Sequence, residues 1–168
     1  MCCNKVVWVD LYLSHVTNRL DAKGRVSIPS AFRQVLTRDG FEGLFIVPAF
    51  DVPALDCGGH AMLADIGGVM QKFSPYTVEH DSLASAFYGA SEILKLDKEG
   101  RAVLSDHMKA HASIAAEVTF VGQGQKFQIW EPGRFRAHLQ EARDRVRNLR
   151  QQLGSRPAAM PPAQGARE

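Results

Sequence analysis

Two aspartates and two arginines recur in this chain with the same spacing, and they are the side chains best placed to do chemistry. Leu20–Arg25 and Leu96–Arg101 both read Leu-Asp-x-x-Gly-Arg. Asp21 and Asp97 could be imagined as a pair of catalytic carboxylates, as in acid proteases. Each is followed by Gly-Arg, however, and the neighbouring cations would keep both carboxylates ionised. The chain also has no Gly-x-Ser-x-Gly nucleophile motif, so we expect no enzymatic activity.

The repeated phrase has the composition of a tight turn. Asp at the first position and Gly at the fourth suit a type I turn, because the carboxylate can accept a backbone N–H two residues on and Gly tolerates a positive φ. In each copy the Gly therefore shapes the turn, the Asp orients it, and the following Arg is held at its rim. One copy alone is explained by an ordinary hairpin turn with a solvated Arg. Two copies, each followed by the same alternating pattern of residues, favour a shared role.

The residues after each turn predict the elements that hold it. Val26 and Ile28 point to one side of an alternating segment, and Ala102 begins the equivalent pattern in the second copy. Period-two alternation predicts a half-buried strand leaving each turn. A helix is expected next, begun by Pro29 in one copy and capped by Ser105 in the other.

The rest of the pattern predicts an α+β fold in which helices connect the two copies. Further strands are expected at Leu11–Leu20, Gly43–Val47, Glu92–Leu96, Glu117–Val121 and Lys126–Trp130. Helical periodicity predicts connecting helices at His60–Phe73 and Glu79–Ser91, and a long helix that begins near Pro132. Proline and glycine make Ala49–Gly59 loop-like.

The long C-terminal helix carries a second signal. Its apolar residues recur at the a/d spacing of a coiled coil: Phe135, Leu139, Ala142, Val146, Leu149 and Leu153. Arginines outnumber acidic residues along it. The simpler interpretation of these arginines is a solvated basic face. The more specific one is a contact with another subunit or with DNA. Beyond it, residues 154–168 are rich in Pro, Ala and Gly, which predicts disorder.

Composition limits the remaining possibilities. The net charge is only +2 over 168 residues, so a basic surface must come from local clustering. The three cysteines have no framework spacing, which favours a reducing cytoplasm. No apolar run reaches the roughly 18 residues that a membrane span needs. His107 and His111 have a spacing that can bind zinc, but no third ligand is evident, and we expect neither metal nor cofactor.

The paired turns, Phe120–Gly124 and Phe127–Trp130 together resemble the MraZ family of bacterial transcriptional regulators, from about Ser14 to about Leu153. The resemblance implies two AbrB-like repeats, at 14–59 and 92–134, that form a swapped-hairpin β-barrel as an intrachain pseudo-dimer. Residues 1–13 would be an N-terminal extension, 60–91 a helical connector and 135–153 a C-terminal helix. Ser105 and Gln128 depart from the family's usual Pro and Glu, and 51–59 lacks its usual Trp.

The resemblance also implies a function and a site. Family members assemble into closed rings and bind short G-rich direct repeats upstream of the division and cell-wall gene cluster, including their own gene, usually as repressors. We expect the same of this chain, in the cytoplasm and associated with the nucleoid. The family's DNA-contacting signature, an Asp-x-x-x-Arg pair, falls on Asp21 and Arg25 and on Asp97 and Arg101. We expect Arg25 and Arg101 to bind DNA, and Asp21, Gly24, Asp97 and Gly100 to shape the turns or orient the arginines. Further DNA-binding contacts, to phosphate, are expected from Lys23, Lys98, Arg33 and Lys109. Two alternatives stay open: an AbrB-type antitoxin whose tail, from Arg143 onward, folds on a toxin, and a purely oligomeric scaffold.

Overall fold

The fold is mixed α+β, as the sequence predicts, and a computed structural model describes residues 10–154. The strands are β1 (His15–Arg19), β2 (Arg25–Ser27), β3 (Leu44–Pro48), β4 (Ala54–Gly58), β5 (Glu92–Leu94), β6 (Arg101–Val103), β7 (Glu117–Gly122) and β8 (Phe127–Trp130). The helices are α1 (Ser30–Asp39), α2 (His60–Met70), α3 (Val78–Ala84), α4 (Asp106–Ala112) and α5 (Pro132–Gly154). The predicted extension at 1–9 and the tail at 155–168 lie outside the described residues.

The strands pair across the two copies of the repeat. Six form one antiparallel sheet in the order β1-β7-β8-β4-β3-β5, and β2 and β6 form a separate two-stranded ribbon. The first strand of each copy therefore pairs with the other copy: β1 with β7, and β5 with β3. Within residues 10–154 the hydrogen bonding forms no closed barrel, so the predicted swapped-hairpin barrel is not confirmed.

The main core lies where the two copies meet. Val26 and Ile28 of the first copy and Ala102 and Leu104 of the second are all buried in the same cluster. The alternation predicted after each turn is thus confirmed, because one side of each strand faces this core. Equivalent helix positions contribute as well: Phe32 of α1 and Met108 of α4 are both buried there.

The prediction that Ala49–Gly59 is loop-like holds for residues 49–53 and was wrong for residues 54–58. Residues 54–58 form β4, a central strand whose Leu55 and Cys57 are fully buried. Pro53 precedes the strand and does not interrupt its hydrogen bonds, so the strand can occupy a central position in the sheet. The polar Asp56 lies in the middle of this strand, and its carboxylate accepts hydrogen bonds from Gln128 Nε2 and Lys126 Nζ, both at 2.8 Å.

The connecting segment contains the two predicted helices, with changed ends. The first, α2, ends at Met70 rather than Phe73 and packs its Met62 and Ile66 with Phe45 of β3 in a second cluster. The second was predicted as one helix. It is instead α3, capped by Thr77, followed by a π-helical turn at Ser85–Gly89. Local hydrophobic periodicity does not distinguish a π turn from an α turn.

The chain divides into two compact units, with the boundary after Phe135. The predicted long helix is confirmed as α5, which spans this boundary. Along the second unit, three of the a/d positions are more than half exposed: Val146, Leu149 and Leu153. Among the described residues no helix is both long and apolar enough to cross a membrane.

Candidate nucleic-acid interface

The first Asp-x-x-Gly-Arg phrase folds into a closed turn. The Asp21 carbonyl accepts a hydrogen bond from Gly24 N at 3.0 Å, and Asp21 N donates to Arg25 O at 2.9 Å. Gly24 has a φ of 73°, in the left-handed region that glycine adopts without steric cost. The turn thus delivers the chain directly into β2, whose first residue is Arg25.

The Asp21 carboxylate holds both the turn and the arginine. Its Oδ1 accepts hydrogen bonds from the backbone N–H groups of Lys23 at 2.9 Å and Arg25 at 3.0 Å, and its Oδ2 accepts one from Arg25 Nε at 2.6 Å. The backbone hydrogen bond from Arg25, supported by that side chain's own hydrogen bond and charge, lowers the pKa of Asp21. The carboxylate is therefore ionised at neutral pH, and it fixes Arg25 through Nε.

The second turn repeats this geometry. Asp97 Oδ1 accepts from the N–H groups of Glu99 and Arg101, both at 2.9 Å, and Oδ2 accepts from Arg101 Nε at 2.8 Å. Gly100 has a φ of 75°. The backbone hydrogen bond from Arg101 is again the largest cause that lowers the pKa of Asp97. Two segments far apart in sequence thus present an arginine in the same way.

The two turns lie on one small ribbon. β2 and β6 pair so that Val26 faces Ala102, while Arg25 faces Val103 and Ser27 faces Arg101. With Val26 and Ala102 buried, the other four side chains share the outer face of the ribbon. Arg25 and Arg101 are therefore diagonal neighbours, and the Cα atoms of such a pair are about 7–8 Å apart.

Comparison with known proteins identifies the family. A family model described as "MraZ protein, putative antitoxin-like" matches residues 86–155, which include the second turn. A relative from Beijerinckia indica is 61% identical over 165 residues, covering 95% of this chain and 100% of the relative. The chain belongs to the MraZ family. MraZ relatives from Methylocella silvestris (60% over 164 residues, 95% and 100% covered) and Rhizobium meliloti (40% over 143 residues, 84% and 98% covered) agree. All three are named "Transcriptional regulator MraZ", so the resemblance seen in the sequence is confirmed.

Two other candidate cations of this MraZ chain pack across the repeats. Arg33 of α1 is half-buried, and its Nε donates to Ile28 O at 3.1 Å. Its side chain lies against Gly100, where an added Cβ would be 2.5 Å from Arg33 Nε. Lys109 of α4 lies near Gly24 and forms an ion pair with Asp106 at 2.9 Å. Each copy's helix therefore supports the other copy's turn.

The remaining candidates, Lys23 and Lys98, are exposed within the turns but are not at equivalent positions. Lys23 directly precedes Gly24, whereas Glu99 occupies that position in the second turn. Glu99 forms an ion pair with Arg101 Nη2. Sequence reasoning missed this pair in the MraZ chain, although aligning the two copies residue by residue places Glu99 opposite Lys23.

Proposed function

We propose that the β2–β6 ribbon is the DNA-reading surface of a transcriptional regulator. The observation that carries the proposal is the pair of outward arginines, Arg25 and Arg101, each held through Nε by the aspartate of its own turn. Holding a guanidinium through Nε leaves both Nη groups of Arg25 for an external acceptor, whereas at Arg101 the Nη2 group is also paired with Glu99. Arginine is suited to bidentate contact with guanine O6 and N7 and to phosphate.

The dimensions of the ribbon support this role. Paired strands are about 4.8 Å apart, and the major groove of B-DNA is about 12 Å wide and admits a two-stranded β-ribbon. A separation of about 7–8 Å between the Cα atoms of diagonal neighbours is less than the groove width, so both arginines could enter one groove. Lys23, Lys98, Arg33 and Lys109 would supply phosphate contacts that position without specifying sequence.

We infer the target from what the resemblance to the family implies. The proposed operator is a set of short G-rich direct repeats upstream of the division and cell-wall gene cluster that includes the chain's own gene. Binding there would repress transcription, and the protein would work in the cytoplasm on the nucleoid. One chain has a net charge of only +2, so a single ribbon binds weakly. A closed homo-oligomeric ring would place several ribbons on tandem repeats and gain affinity through avidity.

The architecture fits the same proposal. The crossed pairing of β1 with β7 and β5 with β3 supports two AbrB-like repeats, at 14–59 and 92–134, arranged as a swapped-hairpin pseudo-dimer. Residues 60–91 would be the connector and 135–153 the C-terminal helix. In this arrangement both turns of one protomer come together on one surface.

The test is a titration of a DNA duplex from upstream of the chain's own gene, at fixed salt. Arg25→Ala and Arg101→Ala should each weaken specific binding while keeping the thermal unfolding midpoint of the wild type. Lys72→Ala removes the same charge from an exposed position after α2 and is the matched control. Operator affinity that is unchanged in both arginine variants would refute the proposal.

The two alternatives predict different results in the same preparation. An antitoxin would co-purify with a small partner bound to its C-terminal segment, and the family model's description as antitoxin-like keeps this possibility open. A scaffold would retain its oligomeric state yet bind the upstream duplex no better than a scrambled one. The salt dependence of binding separates the regulator from the scaffold.

A further inference from the structure

The two arginines of the ribbon have different ionic surroundings. Among the residues that the structure describes, Asp21 is the one carboxylate paired with Arg25. Arg101 is paired with two, because Asp97 holds its Nε and Glu99 holds its Nη2. The hydrogen bond and charge of Asp97, with the charges of Glu99 and Asp21, raise the pKa of Arg101. The second carboxylate thus occupies an Nη group that the first turn leaves for a ligand.

The difference arises at one position of the repeat. The residue before the glycine is Lys23 in the first turn and Glu99 in the second. Lysine adds a cation to the first turn, whereas glutamate adds an anion to the second, where it pairs with Arg101. A carboxylate engages the guanidinium with the same charge-assisted hydrogen bonds that a phosphate uses. An acceptor on DNA that approaches Nη2 of Arg101, whether a base or a phosphate, must therefore displace Glu99.

The total charge near each turn is not what distinguishes Arg101 from Arg25. The cation of Arg33 lies against Gly100 in the second turn, and the Lys109–Asp106 pair lies near Gly24 in the first. These neighbours compensate for much of the difference between Lys23 and Glu99. What remains is local to one guanidinium: Nη2 of Arg101 is engaged by a carboxylate whose side chain is 68% exposed.

We propose that Glu99 is an intramolecular competitor for the DNA ligand of Arg101, so that Arg25 is the principal contact and Arg101 the secondary one. This inference rests on the proposed DNA-binding function. Under this inference Glu99 sets the affinity for DNA and how much of that affinity each turn contributes. The opposing role for Glu99 is preorganisation, in which the ion pair holds Arg101 in its DNA-binding position. Removing the carboxylate strengthens binding under competition and weakens it under preorganisation.

The experiment compares Glu99→Gln with the wild type by fluorescence anisotropy. The probes are a duplex from upstream of the chain's own gene and a scrambled duplex of equal length. Both are measured at about 0.1 M salt, where the Debye length is ~10 Å. Glu99→Gln should bind the upstream duplex about two- to fivefold more tightly, the range expected for release of one exposed ion pair. Glu79→Gln makes the same charge change at an exposed position in α3 and should alter affinity less.

The relative cost of losing each arginine provides the second readout. In the wild type, Arg25→Ala should weaken binding more than Arg101→Ala. In the Glu99→Gln background, Arg101→Ala should reduce the affinity for DNA by a larger factor than it does in the wild type. The reciprocal change Lys23→Glu should lower affinity and reduce the cost of Arg25→Ala. Glu99 is exposed, so none of these results depends on a change in the core.

Two results would overturn the inference. Glu99→Gln could bind the upstream duplex no more tightly than the wild type does, or Arg101→Ala could cost at least as much as Arg25→Ala in the wild type. Either result leaves the DNA-binding function standing if the wild type still prefers the upstream duplex. A wild type that binds both duplexes equally would instead refute the proposed function itself.

Discussion

Gly24 and Gly100 occupy equivalent positions, yet alanine should be much costlier at Gly100. Both glycines have a positive φ, 73° and 75°, and an L-residue there costs about 1–2 kcal/mol. Alanine also restricts the unfolded chain, which offsets about 0.4–1 kcal/mol of that cost. We therefore expect Gly24→Ala to lower the free energy of unfolding by about 1 kcal/mol. The nearest atom to a new Cβ at this position is Lys109 Nζ, at an ordinary 3.7 Å.

At Gly100 the new Cβ meets a second obstacle. It would lie 2.5 Å from Arg33 Nε and 2.6 Å from Arg33 Cζ, so the Arg33 side chain must move. Movement breaks the hydrogen bond from Arg33 Nε to Ile28 O, which as a bond from a charged donor contributes about 1.5–3 kcal/mol. Gly100→Ala should therefore cost about 2–4 kcal/mol in total.

The assay is urea unfolding followed by circular dichroism, at one fixed protomer concentration because oligomerisation shifts apparent stability. A double-mutant cycle supplies the control. With Arg33→Ala already present, the obstacle is gone, and Gly100→Ala should cost about as much as Gly24→Ala, about 1 kcal/mol. Equal costs for the two glycine substitutions in the wild-type background would refute this account of how α1 supports the second turn.

Two further predictions concern the turns and the sheet. The pKa values of Asp21 and Asp97 are lowered in the fold, so their stabilisation is complete above the ordinary Asp pKa of about 3.9 and is lost as the pH falls below it. Asp21→Asn with Asp97→Asn should reduce the fall in unfolding midpoint between pH 6 and pH 3; an unchanged acid dependence would contradict this. Gln128 accepts hydrogen bonds from Gln123 Nε2 at 2.8 Å and Trp130 Nε1 at 2.9 Å while donating to Asp56. Gln128→Leu should therefore lower the free energy of unfolding by about 1–3 kcal/mol in the same urea assay, and a loss below about 0.5 kcal/mol would count against the network.

Local sequence signals were sufficient for the turns and for most of the helices and strands. Asp-x-x-Gly encodes its own hydrogen bonds within five residues, and alternation after each turn correctly indicated that Val26 and Ala102 are buried. The same reasoning failed at β4, because the prolines and glycines around it indicated a loop, whereas the strand is held in the sheet by β8 from a distant part of the chain. A local pattern contains no information about such a partner.

The site was less predictable than the fold. The sequence predicts phosphate contacts for Arg33 and Lys109. In the structure each lies beside the turn of the other copy, which follows from the pairing of β2 with β6. That pairing joins segments far apart in sequence and is not encoded in the spacing of either copy. The role of these cations in DNA binding stays a prediction.

Protection of guanine N7 from dimethyl sulfate is the most direct test of the central claim, that Arg25 and Arg101 read DNA. The wild type should protect guanines within the direct repeats upstream of its own gene, because an arginine that binds O6 and N7 blocks the reactive atom. Arg25→Ala, at a protein concentration that restores equal occupancy, should lose protection at a defined subset of these guanines. Protection that is identical to the wild-type pattern in both Arg25→Ala and Arg101→Ala would contradict the claim.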